Sequence, residues 1–284
     1  GVVSQGDRGG QLFIRGGEPT QNMVLLDGMQ IFQPFHIVGF FSAFPSDIIN
    51  TADVYAGGYG SKFGGRLSSV IDITARTGNK RRFVGAATLA PFVSTLRLEG
   101  PLIPGKVSFM ASIRESVIEQ GAAKLIDEEL PFAFGDVFAK IHANLGKSAQ
   151  LSISGIRTDD QGQLGLDPLL ATGDDYIADE VQWESYAIGS RLLFLPSSLP
   201  VFAEVLVNYS DLKNQFGPPL DPTQTTNATY FSFASNVTHS IGTTNFNWGL
   251  FLSSSKLDSN LGGLFQNVDL KIEYITEVGA YIEP

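Results

Sequence analysis

Cysteine is absent from this 284-residue chain. That removes disulfide frameworks, thiolate metal sites and cysteine nucleophiles together, and leaves the redox compartment open. Long hydrophobic runs are also missing. No stretch approaches the roughly 18 apolar residues that a membrane helix needs, so the chain crosses no bilayer as a helix. Charge is sparse and acidic, at 17% charged residues and a net charge of -10. Nucleic acid is therefore a poor partner, and the short run Lys80-Arg81-Arg82 makes no basic stripe. Histidine is scarce, and His36, His142 and His239 share no metal-ligand spacing. No serine, histidine and acid arrangement and no carboxylate pair stands out for acid/base work. The chain is accordingly read as no enzyme, with no catalytic residue, metal or cofactor. Gly1 lacks the basic start and apolar stretch of a secretory signal, which fits a cytoplasmic protein or a chain whose beginning is missing.

What is present is aromatic and glycine-rich. Aromatics at 11% and 31 glycines suit a β-rich protein with many turns. The texture changes near Thr77-Gly78-Asn79-Lys80. Before that join the pattern is compact and varied. Leu12-Phe13-Ile14 is a short apolar strand ending at Arg15-Gly16-Gly17. Met23 to Leu26 and Met29 to Phe32 flank Asp27-Gly28, a pair suited to a type I′ hairpin turn. Pro45-Ser46-Asp47 reads as a helix start with Ser46 as N-cap and one or two turns following. The stretch from Tyr55 to Arg76 sets Gly57, Gly58, Gly60, Gly64 and Gly65 around Tyr59 and Phe63, then alternates as a strand from Leu67 to Thr74. It is no phosphate cradle, because Lys62 is followed by Phe63 and a strand rather than by Ser or Thr and a helix. Gly146-Lys147-Ser148 lies between two strand patterns and reads as a hairpin turn. Residues 1–77 thus suggest a small mixed α/β unit.

After the join the chain turns to long amphipathic strands. Val107, Phe109, Ala111 and Ile113 alternate with Ser108, Met110, Ser112 and Arg114, and the same pattern recurs to Tyr274. Alternation alone would suit a soluble sandwich equally. Connection lengths decide between the two. About ten strands are separated by tight turns at 100–106, 146–148, 196–200 and 241–242, and by long loops at 117–134, 159–180, 213–226 and 256–266. Short turns at one end and long loops at the other mark an outer-membrane barrel.

Arg15-Gly16-Gly17, Leu26-Asp27-Gly28, the passage from Ile48 to Val54, Tyr59-Gly60, Gly64-Gly65-Arg66 and the strand Val70 to Ile73 follow one another in the order and spacing of a known domain. The stretch resembles the plug domain of TonB-dependent outer-membrane receptors. The resemblance implies a mainly β protein: a small α/β plug at 1–77, N-terminally incomplete, and at 78–284 the N-terminal portion of a transmembrane barrel of 22 strands in the family. The chain would then be an interior fragment of a longer one, located in the bacterial outer membrane. It would import a scarce nutrient (siderophore, cobalamin, glycan or peptide) by energy-coupled plug rearrangement. Implied partners are outer-membrane lipid, a TonB-type energy-coupling protein whose binding segment this chain lacks, and a surface lipoprotein lid. The alternative is a small complete outer-membrane barrel acting as enzyme or adhesin.

The plug resemblance also directs the site residues. Pro34 makes 33–36 a loop, and the resemblance places it at the plug's outer end, so Gln33, Phe35 and His36 are expected to face the ligand cavity, with Phe40, Phe41 and Phe44 in the core. Arg15 and Arg66, enclosed by a wall, should need acidic partners such as Glu18, Asp27 or Asp72. His142 and His239 fall on polar strand faces and should face the barrel interior. Acidic residues cluster in the long loops, at Asp127 to Glu129 and at Asp159, Asp160, Asp167, Asp174, Asp175, Asp179 and Glu180. They suit a wet rim or a divalent-cation site. The glycosylation sequons at Asn208, Asn227 and Asn236 lie in or beside strands and are read as chance.

Overall fold

The computed structural model describes residues 2–5, 11–14, 22–36, 41–64, 69–90, 92–117, 132–164, 179–260 and 270–284. Three sheets account for the described strands. β1 (Val2–Gln5) pairs with β2 (Gln11–Ile14). β3 (Asn22–Leu26), β4 (Met29–Gln30), β5 (Ile49–Tyr55) and β6 (Ser69–Ala75) form a four-stranded inner sheet in the order β4-β3-β6-β5. The remaining strands form one antiparallel wall in sequence order: β7 (Val84–Leu89), β8 (Val93–Ile103), β9 (Val107–Ser116), β10 (Phe132–Leu145), β11 (Ala149–Leu164), β12 (Asp179–Phe194), β13 (Val201–Gly217), β14 (Gln224–Ile241), β15 (Thr244–Asn260) and β16 (Leu270–Glu283). The tight connections and the long ones fall at opposite ends, as expected, except that β13 and β14 lengthen until only residues 218–223 separate them.

The wall's alternation resolves into two unlike faces. Its outward face carries Leu98, Ile113, Val137, Ile141, Ile153, Ile188, Val207, Leu250 and Val278, all exposed. Along β13 the outward run from Val201 to Tyr209 covers roughly 26 Å of strand before tilt, close to the apolar height of a bilayer core. Above it the outward residues turn polar together. One hydrogen-bonded row reads Glu115, Gly135, Asp159, Glu184, Lys213, Asn227 and Asp258. Tyr186 and Tyr209 pack at 5.8 Å just below that row, and Phe194, Phe246 and Trp248 mark the opposite margin. An apolar belt with aromatic margins is the surface a lipid bilayer requires. Ile153→Arg, at mid-belt, is expected to cost about 2–4 kcal/mol of wall stability, read as a lower urea midpoint of the full-length protein in lipid vesicles. Asp159→Lys, above the belt, should cost almost nothing.

Two expectations change here. β7 and β16 each have one partner, so the ten strands make an open sheet with two edges and not the small closed barrel of the alternative reading. His239 pairs across from Val201, on the face opposite Glu204 and Asn236, so it points outward and not into the lumen. His142 does lie inward, buried and bonded to Ser152 and Asn144.

β3 and β6 run parallel at the centre of the inner sheet, which packs against the wall. Leu26, Met29, Ile48, Val70 and Ala75 are buried to within 1% exposure, and Phe138, Ile156 and Ala187 of the wall join the same core. Among the described residues there is no α-helix. The expected helix at 45–48 is a single 3-10 turn, Ser46–Ile48, with Pro45 in the N-cap position and no side-chain cap. The extended φ/ψ of Ile49 sends the chain directly into β5, so the turn never propagates. Gly57 and Gly58 both take positive φ, and Gly146 opens the hairpin turn after β10.

Candidate functional site

The wall holds the inner sheet through one register row. Lys140, Ser154, Gly189 and Asn208 are consecutive partners across β10, β11, β12 and β13, and all point inward. The turn Asp27-Gly28 and the following Met29 lie along it. Both turn residues have positive φ, 51° and 88°, the geometry of the type I′ turn expected from the sequence. That turn aims the Asp27 carboxylate outward from the sheet. Lys140 Nζ donates to its two oxygens at 3.0 and 2.8 Å, and Ser154 Oγ donates at 2.6 Å. The backbone N–H of Ala75 donates to Oδ1 at 3.0 Å, and Lys140 also donates to the Ala75 carbonyl. Asp27 and Lys140 are both nearly sealed from solvent, at 3% exposure of each side chain, and only such dense hydrogen bonding makes a buried pair tolerable. Asn208 Nδ2 donates to the Gly28 carbonyl at 3.0 Å. At Gly189 a Cβ would stand 2.6 Å from Met29 Cγ and would collide with Asn208. Gly189→Ala is therefore expected to cost about 1–3 kcal/mol by overpacking, seen as faster proteolysis of the inner sheet in the folded receptor.

A second junction lies toward the long-loop end. Phe35 bridges Ser42, and His36 N–H donates to the Phe41 carbonyl at 3.0 Å, pinching the loop so that the His36 ring points at the wall. The imidazole is fully buried. Its Nδ1 lies 2.9 Å from Asp160 Oδ1, and its Nε2 lies 3.2 Å from Asp136 Oδ2 and 3.0 Å from Arg114 Nη2. Arg114 also pairs with Asp136 and donates to the Ser42 carbonyl. Phe134 stacks on the imidazole at 4.1 Å, and Phe41 packs against Phe134. Burial opposes the charged imidazolium, but hydrogen bonds and charge from Asp136 and Asp160 outweigh it, so the His36 pKa lies above its ordinary value of 6.5. The protonated ring donates to both carboxylates; the neutral ring donates to Asp160 and accepts from Arg114.

Smaller contacts complete the attachment. Arg97 pairs with Asp47 at 3.1 Å, Arg76 pairs with Glu99 at 3.1 Å, and Ser108 donates to the Thr77 carbonyl at 2.6 Å. Ser61 donates to Glu283 from its N–H and its hydroxyl, at 3.0 and 2.6 Å. At the His36 junction the inward row reads Phe134, Asp160, Trp183 and Asn214, with Phe132 and Phe216 one step higher, giving the lumen an aromatic rim.

The expected site residues separate. Gln33 and Phe35 are half-buried at the long-loop end. His36 is not cavity-facing as expected: two inward carboxylates draw it into the wall. Phe44 is in the core and Phe41 packs on Phe134, while Phe40 lies outside the described residues. So do Arg15, Gly16, Gly17, Gly65 and Arg66, together with Glu18. Asp27 is engaged by Lys140, and burial lifts the Asp72 carboxyl above its usual range against the lowering charges of Lys62 and Arg191. Tyr59 packs edge-on to Phe63, and Gly60 abuts Glu283. Asp159, Asp160, Asp179 and Glu180 belong to strands and not to loops, and Asp160 is committed to His36. The remaining loop acids, Asp127 to Glu129, Asp167, Asp174 and Asp175, lie outside the described residues. Among the described residues no group of three histidines or carboxylates is arranged to hold a metal ion.

A lipid-facing open wall packed on a sheet-based unit, and joined to it by buried ion pairs, has the architecture of part of a plugged outer-membrane β-barrel. Residues 1–70 match the family model described as TonB-dependent Receptor Plug Domain. Residues 1–70 thus carry a plug domain of the TonB-dependent receptors, and the chain is a protein of the bacterial outer membrane. Its fold is similar to the alcaligin outer membrane receptor FauA from Bordetella pertussis, with a TM-score of 0.66 at 10% identity over 99% of this chain and 47% of that one. It is similar to the siderophore receptor PirA from Pseudomonas aeruginosa, at 0.62 and 13% identity over 96% and 47%. The ferric-catecholate import receptor Fiu from E. coli gives 0.62 and 11% identity over 88% and 44%. The chain thus spans less than half the length of each of these receptors. No curated protein matches it.

Proposed function

We propose that the chain is the plug, residues 1–77, and the first part of the barrel, residues 78–284, of an importer for a scarce small molecule, with a siderophore the favoured class. The plug moves when a TonB-type protein draws on it. The observation that supports this reading is the attachment itself: a folded unit held against a lipid-facing wall by buried polar pairs, and by an apolar core shared with Phe138, Ile156 and Ala187, is fixed enough to seal the lumen. Structures of similar fold are siderophore receptors, which favours that ligand class over cobalamin, glycan or peptide. The test is uptake by cells carrying or lacking the full-length gene, offered radioiron-loaded siderophores, labelled cobalamin, labelled oligosaccharide or labelled peptide. Uptake of one class, lost on deletion and on adding a protonophore, is the expected result. Uptake unaffected by deletion or by the protonophore overturns the reading.

Gln33 and Phe35 remain the proposed plug contacts to the ligand, now without His36. Gln33→Ala and Phe35→Ala are each expected to weaken binding of the transported compound by about tenfold, the loss of one hydrogen bond or a partly buried ring, in a titration on purified receptor. Protease resistance of the plug should not change.

A further inference from the structure

Positive charge gathers at one corner of the wall. Arg81 and Arg82 on the linker into β7, Lys106 in the β8–β9 turn and Lys147 in the β10–β11 turn are all exposed at the tight-turn end. Hydrogen bonds tie these three segments into one block. The Gly105 N–H donates to the Lys80 carbonyl at 3.0 Å, Lys80 Nζ donates to Asn144 Oδ1 at 3.2 Å, and the Asn144 N–H donates to the Lys106 carbonyl at 2.8 Å. Asn79 Oδ1 accepts from the N–H groups of Arg81 and Arg82, at 2.9 and 3.1 Å, and fixes the bend that carries both arginines. The fold thus extends the run Lys80-Arg81-Arg82, short in the sequence, with lysines from two neighbouring turns. No acid lies near them in the chain: none occurs between Asp72 and Glu99, between Glu99 and Glu115, or between Asp136 and Asp159. Among the described residues, none of these cations pairs with a carboxylate. The tight turns at 195–200 and 241–243 carry no charge, and the acids of the outward face stand at the other end, in the row from Glu115 to Asp258. Phe83, Leu102, Ile103 and Leu145, all exposed, border the cations, and Phe83 packs beside Phe109 at 6.2 Å. The patch is therefore continuous with the lipid-facing belt at the level where that belt ends. Basic side chains at such a border lay their stems on apolar surface and hold their charge at headgroup depth.

We infer that Arg81, Arg82, Lys106 and Lys147, backed by Lys80, form a docking site for the phosphate of anionic phospholipid in the periplasmic leaflet, the side on which short barrel turns lie. Continuity with the apolar belt favours lipid over an acidic protein, and the site pins the linker through which the inner sheet joins the wall. The inference is independent of what the receptor transports. The test is native mass spectrometry of the full-length receptor, equilibrated in detergent with equal amounts of phosphatidylglycerol and phosphatidylethanolamine of the same acyl chains. Retained lipid should be enriched in phosphatidylglycerol, and less so as ionic strength rises. A cation near an anionic leaflet strengthens the attraction by about fivefold, so Lys106→Gln/Lys147→Gln should cut the enrichment by on the order of tenfold or more. Arg157→Gln/Lys213→Gln removes the same charge from the outward face at the long-loop end and should leave the enrichment unchanged. Adding Arg81→Gln and Arg82→Gln to the first pair should abolish it, with the wall's resistance to heat in detergent preserved in every variant. Enrichment that survives the four substitutions, equal losses in the two matched pairs, or no preference in the native receptor each overturns the inference. A native receptor that shows no lipid preference but retains polyglutamate would reassign the patch to an acidic protein.

Discussion

Lys140→Met is expected to lower the stability of the seated plug by about 3–5 kcal/mol, because it leaves the Asp27 carboxylate buried among Ser154, the Ala75 amide and apolar neighbours with no counter-charge. The measurement is the urea midpoint for protease release of the plug from the full-length receptor, with the wall monitored separately by its resistance to heat in detergent. The plug midpoint should fall and the wall should not. A second change separates charge from packing. Asn, like Asp, tolerates the left-handed backbone that Asp27 adopts at φ 51°, so Asp27→Asn preserves the turn. The double variant Asp27→Asn/Lys140→Met should recover most of the loss, since replacing both members of a buried pair is often nearly neutral. If the double variant is as weak as Lys140→Met alone, the pair is not what holds the turn in its row.

The second large effect is a pH dependence centred on His36. The group facing it from β9 is Arg114, from β10 Asp136, and from β11 Asp160. The folded imidazole holds its proton to a higher pH than a free one, so its stabilising contribution is complete below about pH 6.5 and is lost as pH rises through the elevated value. Plug release should therefore become easier as the pH rises above about 6.5 in the native receptor. His36→Gln, which keeps one donor but cannot titrate, should be weaker at pH 6 by on the order of 1–3 kcal/mol and flat across that range. A slope that survives in His36→Gln would assign the pH dependence to another group. Arg114→Ala should be worse than either, for it strips Asp136 of its guanidinium and the Ser42 carbonyl of its donor.

Much of this architecture could be read from residue order. The ten wall strands emerge from alternation because the bilayer and the lumen impose opposite polarities on successive residues, and a two-residue period survives every loop. The Asp27-Gly28 hairpin was legible because two positive φ values admit few residue pairs. Lys140 was visible as inward-facing, since it shares its parity with Phe138 and His142, yet its partner lies 113 residues away and no local rule brings the two together. His36 illustrates the opposite failure. Pro34 marked its loop correctly, but the same parity that makes Asp136 and Asp160 inward also makes them the acids an enclosed histidine would seek, and that signal went unused. The 3-10 turn at Ser46–Ile48 shows the limit of capping logic, which identifies where a helix can begin but not how soon the following strand claims the backbone.

The seating row has a bearing on how the receptor is assembled. Lys140, Ser154, Gly189 and Asn208 meet the Asp27-Gly28 turn only while four neighbouring strands keep their mutual register. A slip of one residue in any of them turns its member outward into lipid, and a slip of two moves it by about 6.6 Å along the strand, out of hydrogen-bonding reach. Wall strands with alternating faces offer many nearly equivalent pairings to a growing sheet, and the energetic difference between them is small. A prefolded plug removes that degeneracy, because it binds one alignment and none of its neighbours. The turn thus works as a gauge of wall register: a wall in which β10, β11 or β13 slips loses a hydrogen-bond partner of Asp27 or Gly28.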